Sequence, residues 1–207
     1  YGYFSNGSPS HSNLNRIDFS NDTAEALEKG NLSAPGYSST YGLAASGNGS
    51  YGYWAGGREG SSVRSYVQRL DYSNDSANTV TKGALAYYQS GFGATGNDSY
   101  GYFGGAHNGG DSSSASPGQT SYISRIDYAN DSATALSKGP LSSGRGYVSG
   151  VSSRRNGLPS MGPKTVDKGA DGYAVPGSYP SAFGYGYVAA GPGASTVSRI
   201  DYSNDTA

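Results

Sequence analysis

Short segments in which large and small or polar residues alternate recur along the chain. They take three forms: an aromatic-glycine string such as "YGYF" at 1–4, a "V-x-R-I-D-Y" string, and an apolar stretch before "SGN" or "TGN". In the last copy of the second string, Val197, Arg199 and Asp201 fall on one face, and Ile200 and Tyr202 fall on the other. This period of two predicts β-strands. A fourth strand is predicted through segments such as "SATALSKG", and Gly-, Asn- and Ser-rich turns connect the strands.

The same short sequences recur along the chain. The aromatic-glycine string begins at residues 1, 51, 100 and 185, and each unit also contains an Asn-Asp string, which reads "NRIDFSNDTA", "QRLDYSNDSA", "SRIDYANDSA" and "SRIDYSNDTA" in turn. A period of about 50 residues with four strands per unit indicates a repeat array. We predict a single repeat domain over 1–207, with units at about 1–50, 51–99, 100–150 and 183–207, interrupted by a Pro- and Gly-rich insertion at 151–182. Because the chain starts at a second-strand motif and stops in a turn, we expect a fragment, or an array that further strands complete.

Composition supports an all-β fold and removes several functions. The 207 residues include 34 glycines and 20 tyrosines, and helices tolerate this much glycine poorly. The chain has no cysteine for disulfide or thiol chemistry. A formal net charge of −1 without a basic stripe argues against nucleic acid as a partner, and no apolar run is long enough for membrane insertion as a helix.

Charged residues recur at fixed places in the Asn-Asp string. The set comprises one arginine and two aspartates per unit: Arg16, Asp18, Asp22, Arg69, Asp71, Asp75, Arg125, Asp127, Asp131, Arg199, Asp201 and Asp205. We predict a structural role for them. Each aspartate can accept backbone N–H groups of its turn. Each arginine lies on the same strand face as the aspartate two residues later, and can bond either to it or to the neighbouring unit.

Other chemistries fit the residues less well. Asp, Ser and Asp in "DYSND" partly resemble a calcium loop, but the glycine and the final acid of such a loop are absent, and Ala129 replaces one oxygen ligand. The Asn-Asp-Thr and Asn-Asp-Ser sequons are copies of one turn. Four equivalent carboxylate pairs would be unusual for an enzyme, and His11 and His107 lie apart in variable segments. We therefore expect no catalytic residue, no cofactor and no metal.

The paired glycines after an aromatic segment, as in Tyr53–Gly57 and Tyr102–Gly105, precede a strand that ends in aspartate. This unit resembles a kelch-type β-propeller repeat, although Ala24, Ala77 and Ala133 replace the tryptophan expected after the turn. The string "YGYFGG … RIDYSNDTA … KGPLS" is also similar to repeats in structural proteins of marine bacteriophages, especially phages of cyanobacteria. The resemblance implies four visible propeller blades and a virion-associated protein.

Three functions follow as expectations. The first is a non-enzymatic structural or interaction protein of a phage particle: a tail appendage, a fibre or a decoration component. Its partners would be other virion proteins, copies of itself, or a host-surface glycan or protein, contacted through variable loops such as 58–66 and 106–122. The alternatives are a carbohydrate-binding propeller lectin and a calcium-stabilised bacterial surface adhesin. In the lectin, Trp54 or loop tyrosines would stack on sugars, while the opposing interpretation makes Trp54 a core aromatic.

Overall fold

The computed structural model of the chain describes residues 1–5, 12–34, 40–110, 117–152, 185–189 and 197–201. In these ranges, sixteen β-strands form four antiparallel sheets that follow one another along the sequence. The predicted all-β class is therefore confirmed.

Two sheets come from the first half of the chain. The first sheet has the order β1-β2-β3 and the second the order β4-β5-β7-β8, with the short β6 paired to β5. Their strands are β1 (Gly2–Ser5), β2 (Asn13–Ile17), β3 (Leu27–Asn31), β4 (Tyr41–Gly47), β5 (Tyr51–Glu59), β6 (Ser62–Val63), β7 (Val67–Asp71) and β8 (Val80–Lys82).

The third and fourth sheets repeat this plan. The third sheet has the order β10-β11-β12-β13, with β9 paired to β11, and the fourth the order β14-β15-β16. Their strands are β9 (Tyr88–Ser90), β10 (Gly93–Gly96), β11 (Tyr100–Gly110), β12 (Pro117–Asp127), β13 (Leu136–Lys138), β14 (Ser149–Ser152), β15 (Tyr185–Ala189) and β16 (Val197–Asp201).

Asparagine and aspartate side chains set the turns between these strands. Asn48 Oδ1 accepts the backbone N–H groups of Ser50 and Tyr51, both at 2.9 Å, and so closes the turn between β4 and β5. After β7, Asp71 Oδ1 accepts the Ser73 N–H at 2.9 Å and begins a 3-10 turn. Such self-bonding by Asn and Asp explains why these residues recur wherever the chain reverses.

The hydrophobic core lies between successive sheets. Three clusters of buried side chains join the first sheet to the second, the second to the third, and the third to the fourth. The central strands β5 and β11 are buried over most of their length, including both the odd and the even positions. A strand buried on both faces needs a layer on each side. The four sheets are therefore stacked in sequence order.

Some predicted boundaries differ from the observed ones. The second sheet takes its first strand, β4, from the end of the unit at 1–50, because the "SGN" turn joins that strand to β5 as a hairpin. Both segments 58–66 and 106–122 were expected to be loops. The first contains the end of β5 and the short β6, and the described residues of the second all belong to the paired strands β11 and β12. Of the insertion at 151–182, Val151 and Ser152 belong to β14, and the remainder lies outside the described residues.

Candidate functional site

A cluster of four polar side chains joins the second sheet to the third. Asp131, in the turn after β12, accepts a hydrogen bond from the Tyr53 hydroxyl at 2.9 Å and one from Arg69 Nη1 at 2.7 Å. Lys82 Nζ lies 3.0 Å from its other carboxylate oxygen. The three donors come from β5, β7 and β8, so every main strand after the first contributes one of them. We call this four-residue cluster an inter-sheet node.

An equivalent node joins the first sheet to the second. Asp75 accepts from the Tyr3 hydroxyl at 2.9 Å and from Arg16 Nη1 at 2.7 Å, and Lys29 Nζ lies 3.1 Å from Asp75 Oδ1. The donors again come from the three consecutive strands β1, β2 and β3. Two independent copies with almost identical distances show that the node is a property of the repeat.

Aromatic rings enclose each node. The Tyr53 ring stacks on Tyr128 of the next sheet, with centroids 4.7 Å apart, and the Arg69 guanidinium lies 4.3 Å from the centroid of the Tyr51 ring. In the first node the corresponding distances are 4.9 Å between Tyr3 and Tyr72 and 4.1 Å between Arg16 and Tyr1. The two tyrosines of each "YGY" therefore have different tasks: the first supports the arginine, and the second donates to the aspartate and stacks on the next sheet.

The glycine after each lysine allows the sheets to approach. The Gly83 N–H donates to the Asp131 carbonyl oxygen at 2.9 Å, and a Cβ atom at residue 83 would lie 1.9 Å from the Ala133 carbonyl oxygen. Gly30 has the same relation to the Asp75 and Ala77 carbonyl oxygens, at 3.0 Å and 1.8 Å. The recurring Lys-Gly pair thus combines a charge for the node with a position that no side chain can occupy.

The nodes hold their aspartates ionised. The Asp75 and Asp131 side chains are only 9% and 7% exposed. Burial alone would raise the pKa of each carboxyl, but the hydrogen bonds from lysine, tyrosine and arginine outweigh burial, and the pKa of both lies below the ordinary value. Burial and the bond to Asp75 raise the pKa of Tyr3 to about 12, which keeps its hydroxyl protonated as a donor.

The two aspartates of each Asn-Asp string do different work. Asp18 and Asp71 stay in their own turns, where each accepts the N–H and the hydroxyl of the serine two residues later. Asp127 similarly accepts the Ala129 N–H at 2.9 Å. Of the two partners open to the arginines, Arg16 and Arg69 take the neighbouring sheet and bond to its second aspartate, not to the aspartate of their own strand.

The remaining recurrent residues occupy matching places where the structure describes them. Arg125 lies on β12, with its guanidinium 4.2 Å from the Tyr100 ring centroid, and Arg199 and Asp201 lie on β16. Asp22 is exposed in the turn after β2, and Asp205 lies outside the described residues. The node tyrosines and lysines were absent from the predicted set. Their recurrence in "YGY" and "KG" at constant spacing is the signal that marks them.

The different contacts of the two aspartates bear on the calcium site and the catalytic carboxylate pair that were considered from the sequence. Asp71 accepts from Ser73 of its own turn, whereas Asp75 binds side chains of the first sheet. Within the described ranges, no three His, Cys, Asp or Glu side chains are grouped so that they could hold a metal ion. Trp54 is 3% exposed in the core between the first and second sheets, which confirms its interpretation as a core aromatic. No helix in the described part of the chain is long and apolar enough to cross a membrane.

The fold and its nodes define an all-β repeat protein whose sheets are joined in series. No family model and no curated protein matches the sequence. Among solved structures, the chain is similar to YjhT, with a TM-score of 0.52 and 18% sequence identity over 68% of this chain and 42% of that protein. This likeness concerns the fold alone, and the match spans less than half of the length of YjhT.

Proposed function

We propose that the four sheets are blades of a kelch-like β-propeller. Two described sheets have the strand order expected of a blade, with the first strand paired to the second, the second to the third and the third to the fourth. The central strands β5 and β11 are covered on both faces, as stacked blades require. The nodes repeat at the contacts between successive sheets, which supports a regular angular relation between them.

We further propose that the protein is a non-enzymatic structural or interaction component of a phage particle, as a tail appendage, a fibre or a decoration protein. The observation that carries this proposal is what the recurrent charged residues contact. In both described nodes they bind one sheet to the next, so the conspicuous repeat serves assembly and not substrate chemistry. The similarity of the repeat sequence to repeats of marine phage structural proteins supports a place in the phage particle.

The two alternatives gain less support. A lectin that uses Trp54 as its sugar platform is disfavoured, because that indole is enclosed by Leu14, Leu32 and Leu70. An adhesin stabilised by calcium at "DYSND" would need Asp71 and Asp75 to share an ion, whereas each is already bound to separate donors. Virion proteins, or further copies of this chain, remain the proposed partners.

The particle context has a direct test. Antibodies raised against the recombinant chain are applied to purified marine phage particles, and gold labelling is located by electron microscopy. We expect label on virions, at a tail or capsid position that is the same from particle to particle, and no label with pre-immune serum. Label confined to host envelopes, or absence of chain peptides from the mass spectrum of density-purified virions, would exclude the proposal.

A further inference from the structure

Tyr147 has a backbone conformation that tyrosine seldom adopts. Its φ is +52°, and within the described ranges every other residue with φ in the left-handed region is a glycine. A bulky side chain rarely takes this region, because its Cβ crowds the neighbouring carbonyl oxygen, whereas glycine enters it freely. An outlier of this kind needs a compensating reason.

The same position is glycine in the two preceding sheets. The sheets can be aligned at the far ends of their first strands, where Gly47 pairs with Gly52, Gly96 with Gly101, and Ser152 with Gly186. Five residues earlier stand Gly42 (φ +71°), Gly91 (φ +64°) and Tyr147. The backbone bonds agree with this alignment, since the Gly91 N–H donates to the Gly42 carbonyl at 2.9 Å and the Tyr147 N–H donates to the Gly91 carbonyl at 2.7 Å.

The Tyr147 side chain does not use this position to fill the core. The residue is 59% exposed, and one face of its ring stacks on His107, with centroids 4.5 Å apart and planes 25° apart. Gly91 lies close to both residues, since a Cβ atom there would come within 3.1 Å of the Tyr147 ring and 3.2 Å of His107 Cβ. More than half of the residue is thus left open to solvent.

The backbone around Tyr147 is fixed on both sides. The Arg145 N–H donates to the Thr120 carbonyl at 3.0 Å, and the Arg145 carbonyl accepts from the Ala106 N–H at 2.9 Å. On the other side, Val148 is 6% exposed and packs in the core between the third and fourth sheets. An exposed ring held this firmly has a defined orientation before any ligand arrives, which lowers the entropic cost of binding.

We propose that Tyr147, backed by His107, is a stacking platform for a pyranose ring of a glycan. The face of an aromatic ring is electron-rich and attracts the polarised C–H groups on one side of a sugar. The Tyr147 hydroxyl and the imidazole nitrogens lie at the ring edges, where sugar hydroxyls can hydrogen-bond. The exposed residues nearest to Tyr147 along the chain include Ser142, Ser143 and Ser149. The fully buried centre of a protein interface would instead be more apolar than these neighbours.

This inference goes beyond the proposed structural role and does not depend on it, because the platform is built from contacts inside this chain. A chain that is absent from virions can still bind a glycan through Tyr147. A virion protein can equally lack the site. The two proposals therefore fail separately.

The test uses Tyr147→Gly, which places the residue of the two preceding sheets at this position, and Tyr147→Phe, which keeps the ring. Fluorescently labelled full chains are applied to a glycan array. The methyl pyranoside of the terminal sugar in the best-bound glycan is then titrated by saturation-transfer NMR. We expect wild type and Tyr147→Phe to bind, and Tyr147→Gly to lose binding by about tenfold or more, as loss of a stacked aromatic contact implies. The melting temperature of Tyr147→Gly should stay unchanged or rise, since glycine relieves the left-handed conformation.

Tyr41→Ala is the matched control. Tyr41 is another exposed tyrosine at the start of a first strand, 43% exposed, and its removal should leave glycan binding unchanged. The proposal is overturned if wild type gives no array signal above Tyr147→Gly, if Tyr147→Gly binds as wild type does, or if Tyr41→Ala abolishes binding equally. A clearly lower melting temperature for Tyr147→Gly would assign the ring a packing role and overturn it as well.

Discussion

Replacing Asp131 by asparagine tests whether a node holds two sheets together. The substitution keeps the size of the side chain but leaves Arg69, Lys82 and the Tyr53 hydroxyl around a neutral amide. Removing one partner of a fully buried ion pair costs about 3–5 kcal/mol. The Arg69 and Lys82 side chains retain 24% and 15% exposure and can regain some water. We therefore expect the free energy of unfolding to fall by about 2–3 kcal/mol, which is at or below the lower limit of that range.

The matched control lies in the same turn. Asp127→Asn also removes one negative charge, but its side chain only accepts the Ala129 N–H. Asparagine caps a turn about as well as aspartate does, so stability should change by less than about 0.5 kcal/mol. Urea unfolding followed by circular dichroism and by Trp54 fluorescence measures both variants. For a chain of this size, about 2–3 kcal/mol corresponds to a fall in melting temperature of about 5–10 °C.

The pH dependence supplies a second measurement of the same node. The pKa of Asp131 in the folded protein lies below the ordinary value of aspartate. The native state therefore binds this proton more weakly than the unfolded chain does. The stabilisation is complete above the unfolded pKa of about 4 and is lost as pH falls through the folded value. The difference between wild type and Asp131→Asn should hence be largest near neutral pH and shrink below about pH 4. Equal destabilisation by Asp131→Asn and Asp127→Asn, or a difference independent of pH, would refute the node as a stabilising contact.

Two further substitutions examine the remaining parts of the node. Tyr53→Phe keeps the stacked ring but removes one donor to Asp131, and should cost about 1 kcal/mol in urea unfolding. A cost near zero would mean that arginine and lysine alone satisfy the carboxylate. Gly83→Ala places a Cβ atom against the Ala133 carbonyl oxygen, 1.9 Å away before relaxation. It should lower the melting temperature by several degrees, while Gly118→Ala, which has open space around it, should not. Equal melting temperatures for these two variants would contradict the close approach of the sheets at Gly83.

Local patterns predicted most of the strands and turns because the forces that set them act between neighbours in sequence. The alternation in "VQRLD" and the Asn and Asp turns define β7 and its 3-10 turn without reference to other sheets. The prediction that both aspartates of the string accept backbone N–H groups agrees with the first aspartate, as in Asp71 and Asp127. The second aspartate, as in Asp75 and Asp131, instead accepts from side chains of the preceding sheet. The donors to the second aspartate come from another sheet, so patterns within one strand and its turn do not predict them.

The partner of each arginine depends on the stack. Arg69 and Asp71 are two residues apart on one strand, so alternation places them on the same face, but β7 ends at Asp71 and its carboxylate turns into the 3-10 turn. The guanidinium instead reaches Asp131, 62 residues away. The position of Tyr147 likewise becomes recognisable only from the sheets. The fourth unit lacks the "SGN" landmark, so only the strand register reveals that a tyrosine stands where the second and third sheets have glycine.

The node is directional, and this direction explains why the whole string recurs. Tyrosine, arginine and lysine from one sheet converge on the aspartate of the next, so each unit carries donors for one neighbour and an acceptor for the other. The first sheet illustrates the acceptor side. Asp22 is exposed there, and Phe19, at the position of Tyr72 and Tyr128, is 57% exposed. The equivalent aspartates Asp75 and Asp131, which receive the three donors of the first and second sheets, are only 9% and 7% exposed.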